Sequence, residues 1–405
     1  MALETLPWLN TDFTERVLRL AKDDTTIQVT DIFTKPATAK GDNYTSDLIR
    51  LVAEYTRKHG KIRISDKTSL LFKFEPIEEG IRREAISKSQ IFDTEIAMMS
   101  DTLQKMNDLL GSRLSGRVFY VRMERPLCLI IEDLAPMGFR MADRQLGFDM
   151  AHCRIAIRGL AKFHATSVAL CEKEPKHKDL YWRGIFHDES PEEIKNYFIT
   201  ATRSLANEVE NWVEGGKRYA VKLRNMAPRM FQLAVDSVRR KDDEFNVINH
   251  GDSWVNNMMF RYDENSKPIE HIFVDFQLSV YSSPAVDLHY FLSSSVSEEI
   301  SDLEIESLLQ DYQQTLAITM KQLECDTMPP TMKQIKKTMD ERYMYALITS
   351  MGTLPIALID KSNVQSLEEM IRDNGQDNPG FKNPVYRRIM IKRLKKFEDA
   401  GLLDQ

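Results

Sequence analysis

The segment His250-Gly251-Asp252-Ser253-Trp254-Val255-Asn256-Asn257 has residue types and a spacing that could support phosphoryl transfer. It follows the pattern H-x-D-x-x-x-x-N, and a later apolar run ends at Asp275. Asp252 could accept a proton from an attacking hydroxyl. Asn257 and Asp275 offer the hard oxygen atoms that magnesium takes together with phosphate oxygens. This layout is typical of kinase-type enzymes, which position charge, metal and nucleophile.

The same residues also fit a plainer interpretation, a surface turn that happens to contain an aspartate and an asparagine. The His-Gly-Asp triplet alone does not separate the two. The wider pattern favours the functional interpretation, because apolar strands are predicted before both acids. Asn256 stands beside Asn257, and only the distance from Asp252 along the chain selects Asn257 as the metal ligand. Asp275 could otherwise cap the turn after its strand.

Lys73 lies in the apolar segment Leu70-Leu71-Phe72-Lys73-Phe74, which predicts a β-strand. Because an unpaired ammonium is costly to bury, Lys73 needs an acidic partner. Glu95, on the next predicted helix, can supply it. Such a pair presents the ammonium to the α- and β-phosphates of a nucleotide. A solvent-facing strand lysine is the alternative.

Two further segments are candidates for nucleotide contact. The turn Gly41-Asp42-Asn43-Tyr44-Thr45-Ser46 has one glycine and small hydroxyl residues between predicted strands. Its backbone N–H groups could face phosphates, although an ordinary β-hairpin would have a similar sequence. The segment Ile131-Glu132-Asp133-Leu134 is predicted to join two lobes. Adenine would then bond to the C=O of Glu132 and the N–H of Leu134.

The elements around these residues indicate a mixed architecture. Strands are predicted at residues 27–29, 46–55, 61–74, 118–123 and 127–134. Helices are predicted over 10–22 and over 89–110, the second inserted into the sheet. After Leu134 the periodicity is mostly helical, with short apolar strands before the catalytic loop and before Asp275. We therefore expect an α+β fold with two lobes, of the protein-kinase-like type.

The expected domain boundary follows from the same pattern. Residues 1–133 form the N-lobe, a small antiparallel sheet with one helix that binds the nucleotide, and residues 1–24 or so form a helical extension. Residues 134–405 form a larger, mostly helical C-lobe that holds the catalytic loop and the substrate. Strand gives way to turn residues at this boundary.

Composition excludes several classes of protein. The chain has 405 residues and a net charge of −6, which argues against a nucleic-acid-binding protein. Its four cysteines are scattered without metal-binding spacing, as in a reduced, cytoplasmic protein. No apolar run reaches the length of a membrane span, and the first residues lack the basic region of a signal peptide. The oligomeric state is not predicted.

Three more features concern support and substrate. Asp287 could cap a helix or hold the catalytic loop in place. His164 is assigned to hydrogen bonding in the core rather than to ligation. The predicted C-lobe is rich in aromatic residues and methionine, which could line an apolar pocket or simply fill the core. These residues are Tyr181, Trp182, Phe186, Tyr197, Phe198, Trp212, Tyr290, Phe291, Tyr343, Tyr345 and Met351.

Taken together, the motifs resemble the ecdysteroid kinase-like family of insects. The resemblance spans roughly residues 30 to 330. It rests on Asp42-Asn43-Tyr44, Phe92-Asp93-Thr94-Glu95, Glu132-Asp133-Leu134, Ala161-Lys162-Phe163-His164-Ala165, His250-Gly251-Asp252 and Val274-Asp275-Phe276-Gln277. The family is related to choline kinase and the aminoglycoside phosphotransferases. The resemblance implies transfer of phosphate from ATP, with Mg²⁺, to a small alcohol, either a steroid of the moulting-hormone type or a foreign alcohol that is being detoxified.

Two departures from protein kinases favour a small-molecule acceptor. Trp254 stands where protein kinases place a lysine, and Gln277 replaces the glycine of D-F-G. The missing lysine leaves open which cation meets the γ-phosphate. A choline- or aminoglycoside-type kinase remains an alternative, although no acidic cluster suits a cationic substrate. A catalytically inactive protein that binds a small ligand in the same cleft is the alternative from another class.

Overall fold

The computed structural model describes residues 6–38, 44–213, 215–373, 375–376 and 378–404. The strands in these ranges are β1 Gln28–Pro36, β2 Asp47–His59, β3 Ile62–Phe74, β4 Val118–Arg122, β5 Cys128–Glu132, β6 Arg140–Met141, β7 Val247–Asn249, β8 Met258–Tyr262, β9 Pro268–Phe273 and β10 Val280–Ser282.

The α-helices outnumber the strands in the described ranges. They are α1 Thr11–Lys22, α2 Ile81–Ser89, α3 Ile91–Ala97, α4 Leu103–Leu110, α5 Met150–Lys173, α6 His177–Leu180, α7 Glu192–Val209, α8 Gly216–Met226, α9 Met230–Val238, α10 Ala285–Ser294, α11 Asp302–Gln322, α12 Met332–Glu341, α13 Tyr343–Leu358, α14 Leu367–Arg372 and α15 Pro384–Asp399.

The first five strands form one antiparallel sheet in the order β1-β2-β3-β5-β4. Lys73 lies in the central strand, β3, paired in register with Leu48 on β2 and Leu129 on β5. Helix α1 packs against the sheet, and the side chain of Asn10 caps its first turn. The predicted strands and this helix are therefore present.

The connection from β3 to β4 contains more helix than the single one predicted from the sequence. Helix α2 ends at Ser89, and Gln90 takes a left-handed conformation (φ 54°) that separates it from α3. A π-helical turn, Met98–Thr102, then joins α3 to α4. The prediction of one helix over 89–110 was thus incomplete. The left-handed residue interrupts the helix at a position where the spacing of the apolar residues gives no sign of an interruption.

The remainder is mostly helical around a large apolar core that includes most of α5. Short antiparallel strands carry the motif residues: β7 pairs with β10, while β6, β8 and β9 form a three-stranded sheet. The α+β class is confirmed, whereas the boundary between residues 133 and 134 stays a prediction. Across the described part of the chain, no helix has both the length and the apolar character needed to cross a membrane.

Candidate active site

The predicted catalytic loop, residues 250–257 between β7 and β8, is held by a buried aspartate from α10. The Asp287 carboxylate accepts hydrogen bonds from the backbone N–H of His250 at 2.6 Å and of Gly251 at 2.9 Å. Asp287 lies inside α10, so the helix-cap alternative was wrong and the loop-holding alternative is the observed one. Burial alone would raise the pKa of Asp287, but the bond from His164 and the loop N–H group outweigh it and lower the pKa.

His164 has the structural role predicted for it. Its ring is fully buried, with Nδ1 at 2.8 Å from the Tyr312 hydroxyl and Nε2 at 3.0 Å from Asp287. Both ring nitrogens are therefore used in the core, in support of the carboxylate that holds the loop.

His250 supports the loop as a neutral imidazole. Its Nδ1 accepts from the backbone N–H of Asp252 at 3.3 Å, so its Nε2 carries the proton and donates to the carbonyl of Val274 at 3.1 Å. Burial lowers the pKa of His250, which favours the neutral form. The ring thus connects the loop that carries Asp252 to the chain just before Asp275.

Both carboxylate oxygens of Asp252 accept hydrogen bonds. Asn257 Nδ2 donates to Oδ2 at 2.7 Å, and the Tyr290 hydroxyl donates to Oδ1 at 2.5 Å. Burial raises the pKa of Asp252 to about 7, and the nearby charge of Asp275 acts in the same direction, while the two hydrogen bonds oppose the rise. An aspartate in this environment is a stronger base than an exposed one.

Asn257 and Asp275 come together at adjacent ends of β8 and β9. The backbone N–H of Val274 donates to the carbonyl of Asn257 at 3.0 Å. Because Asn257 Nδ2 donates to Asp252, its Oδ1 points away, and none of the described residues donates a hydrogen bond to it. Asp275 has φ 67°, and its side chain is 24% exposed. An amide oxygen and a partly exposed carboxylate therefore fit a magnesium ion that also binds phosphate oxygens and water.

Lys73 and Glu95 form the predicted buried pair. Lys73 Nζ lies 2.7 Å from Glu95 Oε1 and 3.0 Å from Asp275 Oδ1. Burial opposes the charge on Lys73, but Asp275 and Glu95 outweigh it and raise the lysine pKa, so the ammonium stays charged. Gln277 Nε2 donates to Glu95 Oε2 at 3.2 Å. The residue that replaces glycine after Asp275-Phe276 thus helps to hold the glutamate.

A cleft of about 610 Å³, here called the charged cleft, contains some of the polar residues just described. Lys73, Glu95, Asn257 and Asp275 line it together with the segment Ile131–Ala135. The predicted nucleotide contacts at Glu132 and Leu134 therefore face the same space as the predicted metal ligands.

The turn 41–46, which was predicted to face phosphates, is described only in part. Gly41 and Asn43 lie outside the described residues. Arg82 of α2 donates to the carbonyls of Tyr44 at 2.9 Å and Ser46 at 2.7 Å, and so anchors the end of the turn that includes Thr45. This arginine contact was not predicted from the sequence, because α2 itself was not predicted.

A second space of about 230 Å³, here called the apolar cavity, adjoins Asp252. Its aromatic lining consists of Tyr44, Phe186, Tyr197, Phe198, Trp254, Tyr290 and Tyr345. Aliphatic residues and threonines complete most of it, and Glu193 is the acid there besides Asp252. Five of the aromatic residues predicted as pocket candidates thus line it. Three other aromatic candidates and one methionine belong to the core without lining the cavity, namely Tyr181, Trp212, Phe291 and Met351.

Comparison with known proteins adds an identification to this geometry. The model of the ecdysteroid kinase-like family matches residues 40–325, more than half of the 405 residues. The chain belongs to the ecdysteroid kinase-like family. The resemblance inferred from the motifs is thereby confirmed, and this ecdysteroid kinase-like protein is a small-molecule phosphotransferase. No curated protein sequence matches it.

Solved structures with a similar fold are distant from this ecdysteroid kinase-like protein. Spectinomycin phosphotransferase APH(9)-Ia with ADP and spectinomycin is 11% identical, with 95% of this chain and 99% of that chain covered and a TM-score of 0.41. Its AMP-bound complex is also 11% identical, with 94% of this chain and 98% of that chain covered and a TM-score of 0.42. Amicoumacin kinase hAmiN with AMP-PNP, Ca²⁺ and Ami is 13% identical, with 96% of this chain and 100% of that chain covered and a TM-score of 0.40. At these scores the likenesses carry no information about the substrate.

Gly251 allows a prediction about the catalytic loop of this ecdysteroid kinase-like protein. It has φ 81°, and a Cβ added there would lie 1.8 Å from the carbonyl oxygen of Leu278. We expect Gly251→Ala to displace the loop and lower kcat/KM by about 10²-fold or more, the loss expected when a catalytic group moves by an ångström. Enzyme assays and thermal unfolding would measure the effect.

Gly60 provides the matched control for this substitution. It has φ 64° in the turn between β2 and β3, with no atom within 4 Å of an added Cβ. Gly60→Ala is expected to cost only about 1 kcal/mol of backbone strain and to keep its activity. Wild-type activity in Gly251→Ala would show that the loop does not depend on this close approach.

Proposed function

We propose that this protein transfers the γ-phosphate of ATP, with magnesium, to the hydroxyl of a small neutral alcohol. One observation carries the proposal. Asn257 lines the charged cleft and Asp252 lines the apolar cavity, and the two side chains are joined by a hydrogen bond of 2.7 Å. The residues suited to phosphate and metal therefore meet a base that faces an apolar space, the arrangement that transfer from nucleotide to alcohol requires.

On this proposal the charged cleft binds the nucleotide. Lys73, held by Glu95, would contact the α- and β-phosphates, and the turn 41–46 would cover them. The backbone of Glu132 and Leu134 would bind adenine. Asn257 and Asp275 would hold magnesium, which neutralises charge on the phosphate oxygens. The cluster of Lys73, Glu95 and Asp275, with ion pairs of 2.7 and 3.0 Å, supports these roles.

Asp252 would act on the acceptor. The alcohol loses its proton to the Asp252 carboxylate while its oxygen bonds to the γ-phosphorus. The bond from that phosphorus to the β–γ bridging oxygen breaks, and ADP leaves. Removing Asp252 from water raises its basicity, which supports this role at neutral pH.

The apolar cavity supports a neutral acceptor, such as a steroid alcohol or a foreign alcohol. Aromatic and aliphatic side chains form most of its wall. An apolar wall gains free energy by burying an apolar ligand, whereas a polycation would need several carboxylates as partners. Trp254, at the position of the lysine of protein kinases, is part of this wall.

The direct test is ATP consumption with a panel of acceptors, namely steroid alcohols, plant phenolics and choline. We expect that, with magnesium present, ADP forms only when a steroid or phenolic alcohol is added. A preference for choline would show that the acceptor class is wrong. ADP formation with none of the acceptors, combined with normal nucleotide binding, would favour the inactive ligand-binding protein.

A further inference from the structure

Two residues of helix α10, Asp287 and Tyr290, are hydrogen-bonded to the catalytic loop, and the proposed function above gives no role to Tyr290. Asp287 binds the loop backbone, as described. Tyr290 lies one helical turn later, on the same face of α10, and its hydroxyl lies 2.5 Å from Asp252 Oδ1. One helix therefore fixes both the backbone of the loop and the carboxylate of the proposed base.

The two bonds to the Asp252 carboxylate define its plane. Asn257 binds Oδ2 from one side at 2.7 Å, and Tyr290 binds Oδ1 from the other. A carboxylate offers about four lone-pair sites, so these bonds leave room for the hydroxyl of an acceptor. A side chain held at both oxygens loses little rotational freedom when the acceptor arrives, and this preorganisation favours reaction.

The phenol of Tyr290 is itself oriented. Thr353 of α13 donates to the Tyr290 hydroxyl oxygen at 3.0 Å, so the single proton of the phenol remains directed at Asp252. Burial, followed by the charge of Asp252, raises the pKa of Tyr290, which keeps the phenol protonated as a donor. Tyr290 and Thr353 both line the apolar cavity, so this polar pair lies where the acceptor would enter.

We propose that Tyr290 is a positioning residue that, oriented by Thr353 and acting opposite Asn257, fixes the direction from which the Asp252 carboxylate meets the acceptor hydroxyl. The inference rests on the proposed function, because it assigns Tyr290 a part in the step that Asp252 performs. A hydrogen bond to a charged group in a buried site is worth more than a neutral one, so its loss is measurable.

The test is Tyr290→Phe, which removes only the hydroxyl. We expect kcat with the best acceptor of the panel to fall about 10- to 100-fold, the loss that corresponds to one hydrogen bond to a charged group. The KM for ATP should stay within about twofold, since Tyr290 lines the apolar cavity. Thr353→Val should lower kcat less, by about 2- to 10-fold, since it removes a bond between neutral groups.

Tyr386→Phe is the matched control. Tyr386 is a fully buried tyrosine of α15 whose hydroxyl has no hydrogen-bond partner among the described residues. Its loss should leave kcat unchanged. A wild-type or higher kcat in Tyr290→Phe would overturn the proposal, and a higher value would mean that the phenol obstructs the acceptor.

A double-mutant cycle separates positioning from general structural damage. If Tyr290 acts through Asp252, Tyr290→Phe should change the single-turnover rate by less than about twofold in an Asp252→Asn background. Multiplicative losses would mean that Tyr290 acts independently of Asp252, which contradicts the proposal.

Crystal structures of the wild type and of Tyr290→Phe without acceptor test the same idea without turnover. We expect the Asp252 carboxylate to be turned, or divided between two orientations, in the variant alone. An unchanged carboxylate would overturn the positioning role even if the enzyme is active. A turned carboxylate in a protein that phosphorylates none of the panel would support the geometry while the proposed function fails.

Discussion

Replacing Asp252 by asparagine is expected to lower phosphoryl transfer by about 10³-fold or more while ATP binding stays within about twofold of wild type. Asparagine has nearly the same shape but cannot take the proton of the acceptor. ATP binding should persist because Asp252 lines the apolar cavity, whereas Lys73, Asn257 and Asp275 line the charged cleft. Acceptor-dependent ADP formation and calorimetric titration with ATP would measure the two properties.

Asp236→Asn is the matched control for this substitution, since Asp236 is exposed on α9 and bonded only to surface partners. It should retain full activity. Normal turnover in Asp252→Asn would remove Asp252 from the role of base. Loss of ATP binding together with activity would mean that the substitution damages the charged cleft.

Asp275→Ala is expected to weaken nucleotide binding in the presence of magnesium by more than about tenfold. Even the loss of a residue that only supports a metal ligand typically lowers metal affinity by about tenfold or more. Asp275 supplies the carboxylate of the proposed metal pair. The fold should survive, because Lys73 keeps its bond to Glu95 at 2.7 Å. Nucleotide affinity measured with magnesium and again with EDTA would show how much of the loss of affinity depends on the metal.

Affinity in EDTA is expected to change little in Asp275→Ala. The matched variant Asp275→Asn keeps one oxygen ligand without the charge and should fall between wild type and alanine in magnesium. An unchanged affinity of the alanine variant in magnesium would contradict the metal role. An equal loss in EDTA would assign Asp275 to direct nucleotide contact.

The sequence predicted the parts of the site that are encoded locally. The spacing of Asp252 and Asn257 within one loop, and the apolar run before Asp275, predicted that these residues lie close together, and in the structure they do. Lys73 and Glu95 followed from the cost of burying an unpaired ammonium in a strand. Their geometry agrees with the prediction, while their roles in catalysis stay predictions.

Contacts between distant segments could not be predicted in the same way. Thr353, Tyr290 and Asp252 are joined only by folding, and the spacing of Asp287 and Tyr290 on one helix face was the only local hint. The aromatic residues that line the apolar cavity could not be separated from those in the core, since both positions favour the same side chains.

The helices and strands of the fold also divide into those that the sequence predicted and those that it did not. A strongly periodic element such as α1 was predicted, and the α+β class is confirmed. Helix α2 was missed because its sequence is polar and Ile86 is its one buried residue. Such a helix has little hydrophobic periodicity, although Arg82 within it donates hydrogen bonds to the carbonyls of Tyr44 and Ser46.

The measurement that tests the central claim most directly follows the γ-phosphate itself. Wild-type protein would be incubated with magnesium, ATP labelled at the γ-phosphate and a steroid alcohol, and the products separated. We predict that the label appears as a phosphate ester of the alcohol and that Asp252→Asn forms almost none. Label found only in inorganic phosphate, or remaining in ATP with every acceptor of the panel, would contradict the account.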